Sequence, residues 1–379
     1  MASIIIREAN DSKTKKDFVQ WVNRFYRDCP YYVPDLESSI RDSFDPKKNP
    51  GLEFSEVLPL VAYRDGKPVG RVMGIINYKA NDTWKTQSVR FGYIDFIDDI
   101  EVSRALLQAV EQWGKSKGMD TIQGPLGITD YDKEGMLVSD FDRLGSMNTF
   151  YNYPYYPQHL EKLGYEKQVD WLQIRIKIPE EVPERYHKTA KLVREFYHLR
   201  VKRVTDRELY HEGWGQKVFD VFNASFAPLF GFSQFSKAQV EMFVHQYVPL
   251  IDKRLMPLVV NEKDEIIGVA ITMGSLSHAL RKSHGKLWPT GWIPLLKSLK
   301  FKHEDTIDLL LIGVLPQYQG LGVTALIFDE LIPVYNQLHY KYAETGPQLE
   351  ENFKELTQWK YLNPELFKRR RCYGKAIGK

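Results

Sequence analysis

The pattern of apolar and polar positions predicts a chain of short strands, tight turns and amphipathic helices. Leu58 to Ala62 and Val69-Gly70 flank the polar turn Asp65-Gly66, which is the pattern of a hairpin. Met256 to Val260 and Ile266 to Gly268 flank Lys263-Asp264 in the same way. Val89 to Phe96 reads as a central strand followed by a helical pattern around Ala105 to Gly114. Ile307 to Val314 reads as a second such strand, and Pro316, a glycine-bearing loop and a further helical pattern follow it.

The two hairpins align without a gap at an offset of 198, Pro59 onto Pro257 and Gly70 onto Gly268. A second landmark pairs Leu160-Glu161-Lys162-Leu163-Gly164-Tyr165 with Leu356-Thr357-Gln358-Trp359-Lys360-Tyr361 at an offset of 196. Two landmarks at nearly one offset imply a duplicated fold. The boundary falls at Ile178-Pro179-Glu180-Glu181-Val182-Pro183-Glu184, where prolines and acids leave little to bury. This gives a first domain over 1–178, a linker and helix over 179–198 (the helix from about Arg185), and a second domain over 199–379. The fold class is α/β with a mixed sheet in two tandem domains. The second domain carries an insertion, because Gly268 to Asp308 spans 40 residues where Gly70 to Phe91 spans 21.

Composition narrows the function. The 379 residues are 43% apolar, 13% aromatic and 27% charged, an ordinary globular balance. A net charge of +3 is too small to call for a polyanion, so no nucleic-acid partner is expected. Cys29 and Cys372 are too few and too far apart for a disulfide framework or a zinc site, which points to a reducing compartment. The nine histidines form no His-Glu-x-x-His pattern, so no metal is expected, and no serine nucleophile elbow occurs. Met1 to Arg7 lacks a basic leader and reads as a first strand, and no window is long and apolar enough for a transmembrane helix. The expected location is cytoplasmic.

The chemistry concentrates at Gln319-Gly320-Leu321-Gly322-Val323-Thr324. Gly320 and Gly322 remove side chains where an anion must approach the backbone, and the amides of Gln319 to Thr324 point at that anion as a helix begins. The Gly-Lys-Ser/Thr ending of a Walker loop and the third glycine of a dinucleotide fingerprint are both missing. In the first domain, Asp98, Asp99 and Glu101 stand at the corresponding place. Acids there suit a helix dipole and repel phosphate, so that domain is read as lacking the anion site.

The segment resembles the acetyl-CoA loop of the GNAT (Gcn5-related N-acetyltransferase) superfamily, Gln/Arg-x-x-Gly-x-Gly/Ala. Gln319, Gly322 and Thr324 take its positions, with Thr324 departing from the small sixth residue, and Val314, Pro316 and Tyr318 match its approach. Leu160 to Tyr165 is close to the phrase that closes many GNAT domains. The resemblance implies two tandem acyl-CoA N-acyltransferase-like domains, the first degenerate, with acetyl-CoA or another acyl-CoA as co-substrate of the second. It implies a strand bulge that frees an amide for the thioester oxygen, matched here to Gly313 or Val314. The tyrosine that often protonates the departing thiolate is missing, its slot falling on Leu356, and Tyr361 is read as structural.

Glu344, at the end of what resembles the fifth strand, is the candidate proton acceptor or cation binder, and Asn352, expected on the following helix, the candidate partner of the pantetheine amide. Asp130 or Asp132, ahead of the tyrosines at 151–156, are candidates to meet an amine in a substrate pocket, the alternative being an aromatic interface. Lys368 to Arg371 either cap the last strand or reach the CoA 3′-phosphate. The insertion, with Trp288 and Trp292 among cations, is expected to pack Leu295, Leu296 and Leu299 onto the domain; a membrane surface, a nucleic acid or an acidic substrate is the other use.

The implied function is acyl transfer from acyl-CoA to an amine of a small molecule or peptide by direct attack. The alternatives are an aminoacyl or long-chain acyl transferase, since tandem GNAT-like domains occur in Fem-type and N-myristoyl transferases, or a non-catalytic CoA-binding scaffold.

Overall fold

The computed structural model describes residues 3–129 and 131–378. In chain order the first half runs β1 (Ile5–Glu8), α1 (Ser12–Phe25), α2 (Glu37–Asp42), β2 (Ser55–Arg64), β3 (Lys67–Asn77), α3 (Tyr78–Trp84), β4 (Ser88–Phe96), α4 (Ile100–Ser116), β5 (Thr121–Gly124), β6 (Met136–Leu137), α5 (Tyr155–Lys162) and β7 (Glu166–Lys177). The second half runs α6 (Glu184–Tyr197), β8 (Arg200–Lys202), α7 (Asp206–His211), α8 (Trp214–Phe226), α9 (Lys237–Tyr247), β9 (Leu258–Val260), β10 (Ile266–Gly274), α10 (Ser277–Ser283), α11 (Trp292–Lys300), β11 (Thr306–Val314), α12 (Val323–Gln337), β12 (Tyr342–Thr345), β13 (Gln348–Leu349), α13 (Phe353–Gln358) and β14 (Glu365–Ala376).

Two compact units result, and neither is continuous in sequence. Unit 1 holds Met1–Trp171, Leu276–Leu296 and Lys368–Lys379; unit 2 holds Leu172–Ser275 and Lys297–Phe367. The linear division at 178/199 therefore runs across the packing in three places. The strand order in unit 1 is β1-β2-β3-β4-β5-β14, and in unit 2 it is β8-β9-β10-β11-β12-β7. Position for position these are the same sheet, which is the duplication that the hairpin offset implies. In both, the last strand comes from the other half of the chain: Tyr373 pairs with Gly124 in unit 1, and Arg175 with Glu344 in unit 2.

In unit 1, α4 presents Val102, Leu106, Leu107 and Val110 to β2, β3 and β4, all at 0–1% exposure. Each such side chain contributes about 1.5–3 kcal/mol by leaving water. The helix begins where Asp99 accepts from the Glu101 amide at 2.9 Å. The basic run 368–371 is interior structure of this unit. Arg369 and Arg371 bind the Asp170 carboxylate at 2.8–3.0 Å, Arg370 is buried and donates to the Gly135 carbonyl, and Lys368 donates to the Leu144 carbonyl. Burial pushes the Arg370 guanidinium down to about 9. These cations serve the strand and the loops around it, not a cofactor phosphate.

The insertion also packs differently from the expectation. Its part up to Leu296 belongs to unit 1, where the Gly285 carbonyl accepts from the Glu37 amide at 2.8 Å and Arg281 donates to the Pro30 carbonyl. Leu295 and Leu299 are half-buried, while Leu296 is exposed.

In unit 2, α12 and α6 cover one face of the sheet. Leu326, Ile327, Leu331 and Ile332 of α12 meet Tyr186, Ala190 and Val193 of α6 in a core that also takes Ile307, Leu309 and Ala343 from the strands. Arg194 clamps the rim through Asp329 at 2.8 Å and Glu330 at 3.1 Å. Phe219 and Phe222 of α8, Phe235 just ahead of α9 and Phe243 of α9 form an aromatic cluster with ring centroids 5.7–5.9 Å apart, mostly edge to face.

Candidate active site

The centre of unit 2 is the place where β11 and β12 part. They run parallel from Thr306/Tyr342 to Leu309/Thr345, and the Gly346 amide then closes onto the Leu309 carbonyl at 3.1 Å. Beyond that point β11 continues to Val314, paired on its other side with β10. The residues Leu310, Leu311 and Ile312 are half-buried, and Ile312 packs against the α6/α12 core. An unzipped strand edge with an apolar lining is thus open to an extended ligand.

The bulge lies at Leu310. Ile271 pairs with Leu311 and Thr272 with Leu309, which leaves Leu310 as the extra residue, whereas Val269/Gly313 and Gly268/Val314 are in regular register. The bulge therefore does not fall at Gly313 or Val314, where the resemblance puts it. Gly313 has a packing role instead: a Cβ on it would meet the Ser225 hydroxyl at 2.8 Å and the Phe222 ring at 2.9 Å. Glycine here is what lets α8 lie against the strand.

The loop after β11 is built from local bonds. Leu315 donates to the Ile267 carbonyl, Pro316–Tyr318 make a 3-10 turn, and the Gln319 side chain returns to the Val314 carbonyl at 3.1 Å. Gly320 and Gly322 have φ of +82° and +88°, a left-handed backbone that glycine adopts without strain. Gly322 is the N-cap of α12, and neither a side-chain cap nor an acid occupies its first turn. The amides of Val323 and Thr324 precede the first possible helical acceptor, so they face outward at the positive end of the dipole. This arrangement suits a pyrophosphate.

Glu344 sits at the foot of the splay. In register it lies beside Asp308 on one side and Arg175 on the other, so all three side chains project from one face. That face is opposite the α6/α12 core, because the intervening Ile307, Leu309 and Ala343 point into it. Arg175 Nη1 is 3.6 Å from Glu344 Oε1, and its guanidinium stacks over Tyr342 at 4.1 Å and Phe367 at 5.5 Å. The Glu344 side chain keeps 13% of its surface in contact with solvent. The Arg175 guanidinium fixes the direction of the Glu344 carboxylate.

The structure joins the Gln319 side chain to the Val314 carbonyl and places Glu344 on β12 beside β11. Asn352 differs from its expectation: it precedes α13, and its carbonyl accepts from the Leu356 amide at 3.1 Å. Trp359 is the fully buried aromatic, donating to Gln348 at 2.9 Å, while Tyr361 is 40% exposed and stacks on Arg185 at 4.2 Å. Sequence reasoning missed Arg175 and Asp308. The alternation of β7 marks Arg175 as facing away from Ile174 and Ile176, but nothing local assigns β7 to this sheet.

The same splay exists in unit 1 and is filled. There β4 and β5 pair only from Ser88/Thr121 to Arg90/Gln123, and a register shift follows at Tyr93, whose φ is +46°. The Tyr156 hydroxyl accepts from the Phe96 amide at 2.9 Å, and the Tyr155 hydroxyl donates to the Phe96 carbonyl at 2.6 Å. Two side chains thus take the backbone groups of β4 near the helix start, and Asp99, paired with Arg64 at 2.6 Å, caps that helix. Ser103, His159 and Asp98 form a hydrogen-bonded row at 3.0 and 3.1 Å. Ser103 and His159 are buried, and Asp98 at the end of the row is exposed.

Asp132 is half-buried, desolvation raises its pKa, and it accepts from the Thr129 amide at 2.8 Å to close a turn. It is not poised toward an amine. Asp130 lies outside the described residues. The tyrosines at 151, 153, 155 and 156 pack against Phe25, Tyr26 and Phe96 within unit 1, with Tyr156 stacked on Phe96 and the others edge-on or tilted. A cavity of about 10 Å³ beside the buried Arg71–Asp95 pair has room for one water.

A tandem GNAT protein from the clavulanic acid biosynthesis pathway, determined without acetyl-CoA, superposes with a TM-score of 0.58 at 12% identity, covering 100% of this chain and 99% of that one. The chain has the tandem GNAT fold. A GCN5-related N-acetyltransferase from Sphaerobacter thermophilus gives a TM-score of 0.53 at 12% identity, with 99% of this chain and 96% of that chain covered.

Among curated proteins, protein YghO of Escherichia coli K12 is 26% identical over 395 residues, spanning 98% of this chain and 95% of its own length. The bacterial ceramide synthase of Caulobacter vibrioides is 27% identical over 306 residues, 80% of this chain and 78% of its own. No family model matches. Among the described residues no group of three His, Cys, Asp or Glu is placed to hold a metal, and no helix is long and apolar enough to cross a membrane.

Proposed function

We propose that this tandem GNAT-fold protein is an acyl-CoA-dependent N-acyltransferase whose chemistry takes place in unit 2. The observation that carries the reading is the β11/β12 splay running into an uncapped, acid-free α12 N-terminus. An extended pantetheine fits the open edge of β11, and a pyrophosphate fits the amides at 322–324. Glu344, held by Arg175, accepts a proton from the substrate ammonium. The free amine then attacks the thioester carbon, the C–S bond breaks, and the nitrogen's second proton leaves with the thiolate as CoA thiol. The Leu310 bulge is the place for an amide that meets the developing oxyanion.

The half-buried Leu310, Leu311 and Ile312 and the likeness to a ceramide synthase favour a fatty acyl group and a lipid-like amine over acetyl transfer to a polar one. Ceramide is the amide of a fatty acid with a long-chain amino alcohol, so the bond made is of the proposed type. The test is mass-spectrometric detection of amide after incubation with acetyl-CoA or palmitoyl-CoA and a panel of short and long-chain amines, alongside thermal unfolding with CoA. Stabilisation by CoA with amide formed only from the long-chain pair supports the reading in full. Stabilisation without amide on any amine supports a CoA-binding scaffold instead, and no stabilisation removes the cofactor site.

A further inference from the structure

The segment between β10 and β11 contains six cations and no acid from Ser277 to His303: Arg281, Lys282, Lys286, Lys297, Lys300 and Lys302. Its helix α11 has two different faces. Leu295, Ser298 and Leu299 turn inward, whereas Trp292, Ile293, Leu296, Lys297 and Lys300 are exposed. Trp288 before the helix and Phe301 after it are 80% and 81% exposed, a high solvent cost for two large aromatics. Local bonds hold both to the helix. The Trp292 amide and indole donate to Leu287 and Pro289 at 3.0 and 3.1 Å, and Phe301 and Lys302 both donate to the Lys297 carbonyl at 3.0 and 2.8 Å.

We propose that this face docks on a bilayer containing anionic phospholipid. The apolar side chains enter the boundary between headgroups and acyl chains, and the lysine stems extend from the same surface to lipid phosphates. Aliphatic Ile293 and Leu296 between the aromatics suit acyl chains, whereas a nucleic acid has no groups for them. The charge also argues against a second copy of the chain, because a two-fold contact through this face sets cations against cations. The proposal stands independently of catalysis.

The experiment is co-sedimentation of the full chain with phosphatidylcholine vesicles, with and without phosphatidylglycerol, at low and high salt. The variants are Trp288→Ser with Phe301→Ser, and Lys297→Glu with Lys300→Glu; all four positions are exposed, and each variant's unfolding midpoint and CoA response are measured as controls. The wild type is expected to bind the anionic vesicles in a salt-sensitive way, the aromatic variant to lose about tenfold in partitioning, and the charge variant to lose its preference for the anionic lipid. Absent vesicle binding by the wild type, or unchanged binding by both variants, overturns the proposal. So does a concentration-dependent dimer that the aromatic variant abolishes, since the face is then covered by a second copy.

Discussion

Gly320 and Gly322 look alike in sequence and differ in what surrounds them, which makes alanine at each a sharp test. Both have φ above +80°, and an L-residue there carries about 1–2 kcal/mol of left-handed penalty. A Cβ on Gly320 meets nothing within 4 Å, so Gly320→Ala costs only that. A Cβ on Gly322 falls 2.5 Å from Thr189 Cγ2 and 3.1 Å from Val193 Cγ2 on α6, which adds about 1–3 kcal/mol of overpacking. Gly322→Ala is therefore expected to lose about 2–5 kcal/mol in chemical unfolding without ligand. Thr189→Ser removes the clashing methyl and should return part of that loss in the double variant, with a coupling above about 1 kcal/mol. The reasoning is refuted if Gly322→Ala costs no more than Gly320→Ala, or if Thr189→Ser gives no rescue. Gly320→Ala is the cleaner probe of phosphate binding, because its methyl stands in open space beside the loop, where an anion would approach, and leaves the helix packing alone.

Three further expectations follow from single contacts. Glu344→Gln should lower kcat by about 10²–10⁴ while keeping the CoA-induced rise in the unfolding midpoint; a change of less than twofold in kcat removes Glu344 from the mechanism. Tyr156→Phe should destabilise unit 1 by about 1–3 kcal/mol, since the buried Phe96 amide and the Tyr26 hydroxyl, 2.7 Å away, both lose a partner; unaltered denaturant unfolding contradicts this. The Glu208 carboxyl is held down at about 2, first by the Thr205 amide and then by Lys202, in a capping box at the start of α7. A lowered carboxyl contributes stability that is present above its ordinary value near 4.5 and lost as pH falls toward 2. Unfolding measured across that window should show wild type losing stability that Glu208→Gln does not lose, and parallel curves would sink the assignment.

The hairpins at 58–70 and 256–268 were legible because a polar turn between apolar runs is a local signal, and their constant offset exposed the duplication. The loop at 319–324 was legible for the same reason: glycine, helix start and missing acids are all decided within a few residues. The acids at 98–101 likewise announced the capped helix of unit 1, but not the tyrosines that fill its splay. Those tyrosines reach Phe96 from some 60 positions away, as their hydrogen bonds record.

Sequence by itself therefore determined two copies of one α/β sheet and, in the second, a glycine loop leading into an acid-free helix start. Tertiary structure alone decided which copy owns which piece. The last strand of each sheet is exchanged, Arg175 reaches Glu344 through that exchange, the basic run at 368–371 is consumed by Asp170 and loop carbonyls, and the insertion up to Leu296 packs against unit 1. The physical reason is that a strand's alternation specifies which face it buries but not which neighbour satisfies its edge. Two similar sheets offer similar edges, and only the folded chain selects between them.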